Sequence, residues 1–131
     1  MDCLPAPVSP ERQALREHLR SLVHFAQCGG PPAPKSFDAR IGAYHDRKQA
    51  FLATVERSRF SPDLAQARRE EEEANRNVFA AECRIYPPEM AEEPENVSAH
   101  EQMWSTRERQ LAEAERRFEA LDRACPASRR T

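Results

Sequence analysis

The chain has 131 residues, and its 20 basic and 22 acidic side chains give a net charge of −2. This length suits one domain of ordinary size, and the balanced charge argues against a nucleic-acid-binding domain, which normally carries a basic excess. Leu, Ile, Val and Phe make up 21 of the 131 residues. This fraction, about 16%, is below the roughly 20% under which a self-sufficient core becomes doubtful. The 20 alanines favour helix. We therefore expect helices with narrow apolar faces, some of them completed by a second copy or another protein.

The N-terminal stretch has no apolar run of the kind found in a secretory signal, and no stretch reaches transmembrane length. The four cysteines have neither Cys-x-x-Cys spacing nor a histidine at ligand spacing. We therefore expect a protein of the cytoplasm and nucleus that is not secreted, does not span a membrane and keeps its thiols reduced.

The first two helices are marked by their start and stop signals. Residues 1–8 are expected to form a disordered tail. Ser9-Pro10-Glu11 is typical of a helix start, with a cap, a proline at the first helical position and an acid in the first turn. Helix one is predicted over about 10–28, before Gly29-Gly30. After a proline-rich linker over 29–35, helix two is predicted over about 36–59.

Ser61-Pro62 begins a third helix, predicted over about 62–86 and ended by Pro87-Pro88. Its seam follows a 3-4 alternation. The seam positions are Leu64, Ala67, Glu71, Ala74, Val78, Ala81 and Ile85.

An acidic linker over 87–97 leads to helix four, predicted over about 98–125 because Ser98 and Glu101 form a capping box. This helix has a second 3-4 series, interrupted by a cation at Arg107. The series is Trp104, Arg107, Leu111, Ala114, Phe118, Leu121 and Cys125. A basic tail over 126–131 ends the chain.

These elements predict an all-α fold of three to four amphipathic helices in a single domain over residues 9–125, with flexible termini. Helices three and four share one seam spacing and are joined by a long linker. We therefore expect them to form an antiparallel hairpin within a coiled-coil-like bundle.

The sequence offers no catalytic constellation. A glycine-rich phosphate loop is ruled out because the chain has three glycines, at positions 29, 30 and 42. The acidic run around Glu70–Glu73 points to all sides of a helix, as a solvated surface does. We expect no enzymatic activity, cofactor or metal. A thiol- or metal-dependent protein built on His24, Cys28 and Cys83 is kept as an alternative.

The stretch NRNVFAAECRIYPPEM, residues 75–90, resembles a small tegument protein family of the herpesviruses. The likeness lies in Phe79, then Arg84 and Tyr86 near a helix end, with proline soon after. Residues 109–114 resemble the Gln-Leu-acidic-Ala segment of that family's last charged helix. Residues 25–30, followed by Phe37, resemble its Phe-x-x-x-Gly-Gly elbow and next-helix Phe.

The resemblance extends over roughly residues 12–118. It implies a non-enzymatic virion component associated with capsid transport, nuclear targeting and chaperone-like binding.

The leading hypothesis is therefore a helical protein–protein interaction protein of the virion tegument, in the host cytoplasm and nucleus. It would bind itself, as a homodimer, or viral or host proteins, and no nucleic acid. The alternative is a cellular coiled-coil adaptor subunit of a cytoskeletal or trafficking complex, which would also bind proteins through amphipathic helices. The predicted partner-binding residues are Phe79, Arg84, Tyr86, Trp104, Leu111 and Phe118.

Overall fold

The computed structural model describes residues 9–24, 30–77 and 85–124. These residues form four α-helices and two short 3₁₀ turns, and they contain no strand. The all-α prediction is confirmed. The helices are α1 (Pro10–Val23), α2 (Asp38–Glu56), α3 (Ser61–Asn77) and α4 (Pro94–Ala124), with 3₁₀ turns at Lys35–Phe37 and Pro88–Glu92.

Helix α1 begins where its sequence predicts and ends early. The Ser9 hydroxyl accepts a hydrogen bond from the Arg12 backbone N–H at 3.2 Å, and Pro10 occupies the first helical position. The predicted end near residue 28 is wrong, because His24 is already extended at φ −64° and ψ 136°. A helix cannot continue through that conformation.

Helix α3 ends before the position predicted for it. Its described residues reach Asn77, and the backbone is not helical at Ile85 or Tyr86, so the prediction of a helix reaching residue 86 is wrong. Ile85 is 97% exposed rather than part of a buried seam. The predicted seam positions Val78 and Ala81 lie outside the described residues.

Helix α4 begins at Pro94, four residues before the predicted capping box at Ser98. The Val97 backbone N–H donates to the Glu93 carbonyl at 2.9 Å, which is the first hydrogen bond of the helix. Proline suits the first helical position because it has no N–H to leave without an acceptor. Ser98 therefore lies inside the helix, and the predicted linker is partly helical.

The helices form a bundle in which α1 and α2 each pack against both α3 and α4. Arg12 contacts Asp63 and His24 contacts Glu71, so α1 and α3 run in the same direction. The link over 57–60 is short, which makes α2 and α3 antiparallel neighbours.

Helices α2 and α4 also run in the same direction, because Arg40 contacts Glu108 and Arg47 contacts Glu115 further along both helices. Helices α1 and α4 are therefore antiparallel.

The predicted hairpin of the third and fourth helices is not the main pairing. Within the described residues, α3 packs on α1 and α2 and makes no comparable contact with α4. The two helices lie across the bundle from each other, with α1 and α2 between them. The connection over 78–93 is long enough to cross the end of a bundle, so seam spacing alone did not fix which helices are neighbours.

One apolar core runs through the bundle, and Phe118 lies within it. Its ring makes edge contacts with Phe51 at 5.8 Å and Phe60 at 5.9 Å between centroids. Burying each large apolar side chain contributes roughly 1.5–3 kcal/mol. The buried apolar residues of this core are Leu15, Leu19, Leu22, Val23, Phe37, Tyr44, Phe51, Leu52, Val55, Phe60, Leu64, Ala67, Trp104, Leu111, Ala114, Phe118 and Leu121.

Candidate partner-binding cleft

All four helices border one large cleft, which includes the last residues of α1. Its volume is about 1050 Å³, at the upper end of the range seen for ligand sites. We refer to it as the basic cleft. Its lining residues are Ser21, Leu22, Val23, His24, Tyr44, His45, Lys48, Gln49, Leu52, Arg68, Glu72, Asn75, Arg76, Arg107 and Gln110.

The charges of the basic cleft are unbalanced. Arg68 lies 3.6 Å from Glu56, and Arg76 lies 3.7 Å from Glu72, its neighbour on the next helical turn. Lys48 and Arg107 make no ion pair with any carboxylate of residues 9–24, 30–77 or 85–124. Both are only partly exposed. Two cations from α2 and α4 thus face the cleft without a described counter-charge.

Burial and mutual repulsion both act on Lys48. Burial lowers the pKa of its ammonium group, and the nearby positive charge of Arg107 lowers this pKa further. Burial also raises the pKa of the Tyr44 hydroxyl, an effect that the charge of Arg107 partly opposes. An anion placed between Lys48 and Arg107 would relieve the repulsion and stabilise the charged form of the lysine.

Aromatic rings hold these two cations in position. The Arg107 guanidinium lies 4.6 Å from the Trp104 ring centroid, and the Lys48 ammonium lies 5.7 Å from the Tyr44 centroid. The Tyr44 and Trp104 rings pack edge to face, with 5.4 Å between their centroids. Cations over such rings gain about 0.5–1 kcal/mol at exposed sites and more when desolvated. The basic cleft therefore contains two cations whose positions are set by aromatic residues of the core.

One of the two histidines that line the basic cleft has an acidic neighbour. His24 Nδ1 lies 2.9 Å from Glu71 Oε2. No group of three or more metal-ligating side chains occurs within the described parts of the chain. Cys28 and Cys83, the other members of the thiol or metal alternative, lie outside those residues, so that alternative stays untested.

Of the six residues predicted to bind a partner, three lie in the chain's own core. Trp104 is 5%, Leu111 0% and Phe118 6% exposed, so a partner would reach them only if the bundle opened. Tyr86 is half-buried beside the exposed Ile85. Phe79 and Arg84 lie outside the described residues. The structure thus shows a packing role for three of the six, and a recognition role for the set stays a prediction.

Lys48 and Tyr44 were not singled out as candidate residues from the sequence. The helical pattern places Lys48 on the polar side of the second helix, where a solvated lysine is common. A usable signal lay in Arg107, a cation in the middle of an otherwise apolar 3-4 series. A charge at a seam position is costly unless something compensates it, so it marks a place where the packing opens.

Comparison with known proteins finds no matching family model, no matching curated protein and no matching solved structure. Within the described residues, no helix is both long enough and apolar enough to cross a membrane.

Proposed function

We propose that this chain is a non-enzymatic helical protein that binds another protein through the basic cleft. The observation that carries the proposal is that Lys48 and Arg107 line the same cleft, are partly buried and lack a carboxylate partner among the described residues. The positive charge of Arg107 acts unfavourably on the charged lysine, and an acidic ligand bound between them would relieve that repulsion. We expect stoichiometric binding rather than turnover.

A protein segment fits the basic cleft better than a bare phosphate chain does. Leu22 and Leu52 belong to the buried core and form an apolar base beneath the partly exposed cations, so the cleft is not lined by charge alone. Tyrosine and arginine, which also line it, are enriched in protein interfaces. The net charge of −2 would repel a long polyanion elsewhere on the molecule.

The sequence resemblance supports a biological setting in the virion tegument and the infected host cell. Phe79, Arg84 and Tyr86, with the segments at 25–30 and 109–114, resemble the herpesvirus tegument family. We propose a virion component of the host cytoplasm and nucleus that aids assembly, capsid transport or nuclear targeting with chaperone-like binding. Immunogold labelling of purified virions and infected cells with an antibody to the chain tests this setting, and a chain found only in uninfected cellular complexes would support the adaptor alternative.

Site-specific photocrosslinking tests the use of the basic cleft. Gln110 and Gln102 are both exposed on α4, and only Gln110 lines the basic cleft. Each is replaced in the full chain by p-benzoyl-phenylalanine. After irradiation in cells, we expect Gln110 to capture a discrete partner that the Gln102 control does not capture.

The captured protein is then purified and its binding is measured with the wild-type chain and with an Arg107→Gln variant. We expect the variant to bind more weakly and the wild-type affinity to fall with rising salt. Equal capture at both glutamines, or an affinity that neither salt nor Arg107→Gln changes, would refute the basic cleft as the binding surface.

A further inference from the structure

The described chain carries a segment whose chemistry is the converse of the basic cleft. We call residues 85–95, with the sequence IYPPEMAEEPE, the acidic segment. Its glutamates Glu89, Glu92, Glu93 and Glu95 are all exposed, and it contains no basic residue. Ile85, at its start, is 97% exposed and is the one large apolar side chain so exposed in the described parts of the chain.

We propose that the basic cleft of one molecule binds the acidic segment of a second copy. This inference rests on the proposed function, since it names the partner of the same cleft. Carboxylates of the segment would lie against Lys48 and Arg107, and binding would cover the Ile85 side chain, which is 97% exposed in the single molecule. Opposite charge patterns on two surfaces favour and orient such an encounter.

The acidic segment cannot fill the basic cleft of its own molecule. Asn96, directly after it, donates from Nδ2 to the carbonyl oxygens of Pro32 at 2.8 Å and Ala91 at 3.1 Å, which ties the segment to the start of α4. Arg107 is 12 positions beyond Glu95 on the same helix, a distance of about 18 Å at 1.5 Å per residue. No residue of the segment lines the basic cleft.

The contact joins two different surfaces, so the assembly is either closed or open. Copies can close into a ring, of which a dimer with reciprocally exchanged segments is the smallest, or each copy can bind the next and extend an open chain. In both cases a molecule needs a working cleft to accept a segment and a working segment to be accepted. This requirement allows the two surfaces to be tested separately.

The test uses full-length chains with one surface reversed in charge. The cleft-reversed chain carries Lys48→Glu and Arg107→Glu, and the segment-reversed chain carries Glu89→Lys, Glu92→Lys and Glu93→Lys, which changes the charge of the acidic segment from −4 to +2. Sedimentation velocity over a concentration series should show wild-type self-association and at least about tenfold weaker self-association for each variant alone, because like charges then meet. An equimolar mixture should associate again, since each surface regains an opposite charge.

Two controls separate the loss of a specific contact from a general charge effect and from unfolding of the variant. A Glu119→Lys chain changes an exposed glutamate far along α4 from the segment and should associate like the wild type. If circular dichroism shows that the cleft-reversed chain is unfolded, Lys48→Gln with Arg107→Gln takes its place, while the segment-reversed chain carries changes only at exposed positions.

A wild-type chain that stays monomeric, or a mixture that fails to associate, would overturn the inference. So would self-association that survives both reversals. If the chain is monomeric while crosslinking at Gln110 captures a different molecule, the second copy is excluded as the partner. Capture of a different acidic protein would leave the proposed function standing. Capture of a nucleic acid would refute the proposed function as well.

Discussion

The Arg107 guanidinium lies 4.6 Å from the centroid of the Trp104 ring, so one residue of the core holds one cation of the basic cleft. Trp104 is 5% exposed and belongs to the same buried cluster as Leu111 and Phe118. The packing of α4 and the position of the cleft charge are therefore linked, since a shift of the indole would move the guanidinium.

Replacing Arg107 by Gln should alter the basic cleft much more than the stability of the chain. The lost cation–π contact is worth about 0.5–1 kcal/mol, and the loss is partly offset because Lys48 no longer faces a second cation. We expect the free energy of unfolding in urea to change by less than about 1 kcal/mol. The emission of Trp104, the single tryptophan, should shift.

The matched control for that variant is Arg109→Gln, an exposed arginine on the same helix. It should leave both the emission spectrum and the unfolding curve unchanged. A loss of more than about 2 kcal/mol in Arg107→Gln would mean that the residue serves mainly to hold the bundle together.

Replacing Asp63 by Ala should strongly destabilise the bundle. Its carboxylate is 0% exposed and accepts from Arg12 Nη2 at 2.8 Å and from Arg16 Nε at 2.5 Å, which ties α1 to α3. Removing one member of a buried ion pair costs about 3–5 kcal/mol, because the charge that remains loses a close counter-charge. Urea denaturation followed by circular dichroism measures the loss.

Glu113→Ala is the comparison for Asp63→Ala, because its pairs with Arg116 and Arg117 lie on the surface of α4. Exposed pairs of this kind contribute about 0–1 kcal/mol. If Asp63→Ala costs no more than Glu113→Ala, the buried ion cluster does not hold α1 in place.

Phe118 and Ile85 were both predicted to lie on helical seams, and the structure separates them. Phe118→Ala should lower the free energy of unfolding by about 3–5 kcal/mol, because the ring fills space between Phe51 and Phe60. Ile85→Ala should stay within about 0.5 kcal/mol, since its side chain is 97% exposed. Equal effects in thermal or urea unfolding would contradict this placement of the two residues.

The lowered pKa of His18 predicts that the stability of the fold depends on pH. Burial lowers this pKa from 6.5, the positive charge of Arg117 lowers it further, and Glu113 and Glu17 raise it in part. Because the unfolded chain then binds a proton more readily than the folded one, stability falls as the pH drops from about 6.5 through the lower folded value.

A His18→Asn variant removes this titration. Its unfolding free energy should fall less than that of the wild type between about pH 7 and pH 5. Glu113, whose pKa is lowered chiefly by the hydrogen bond from Arg116, titrates below this window. Parallel pH profiles for the two chains would show that His18 has no such role.

Local signals in the sequence predicted the helices better than their arrangement. Ser9 caps α1 ahead of Pro10, and Pro62 lies in the first turn of α3, because capping and proline geometry act over a few residues. The start of α4 was missed because Pro94 and Ser98 are both acceptable helix starts, and only the formed Val97–Glu93 hydrogen bond distinguishes them.

The basic cleft could not be predicted because it depends on which helices are neighbours. Lys48 on α2 and Arg107 on α4 are 59 positions apart (107 − 48), and they meet because α2 and α4 run side by side. The α4 seam positions that are buried, and Leu64 and Ala67 at the start of the α3 seam, lie in the core shared with α1 and α2, so the spacing did not specify contact between α3 and α4. Arg107 was visible as an interruption of the α4 seam, but nothing local indicated the lysine that faces it.

The most direct test of the central claim is the affinity of the partner captured at Gln110 for the wild-type chain and for Lys48→Gln, measured by isothermal titration calorimetry at one ionic strength. Arg57→Gln, which changes an exposed arginine outside the basic cleft, is the control. If Lys48 supplies a desolvated charge to the interface, Lys48→Gln should bind about tenfold more weakly, a loss of about 1.4 kcal/mol, and Arg57→Gln should bind like the wild type. Equal affinities for all three chains would contradict the assignment of the basic cleft as the binding surface.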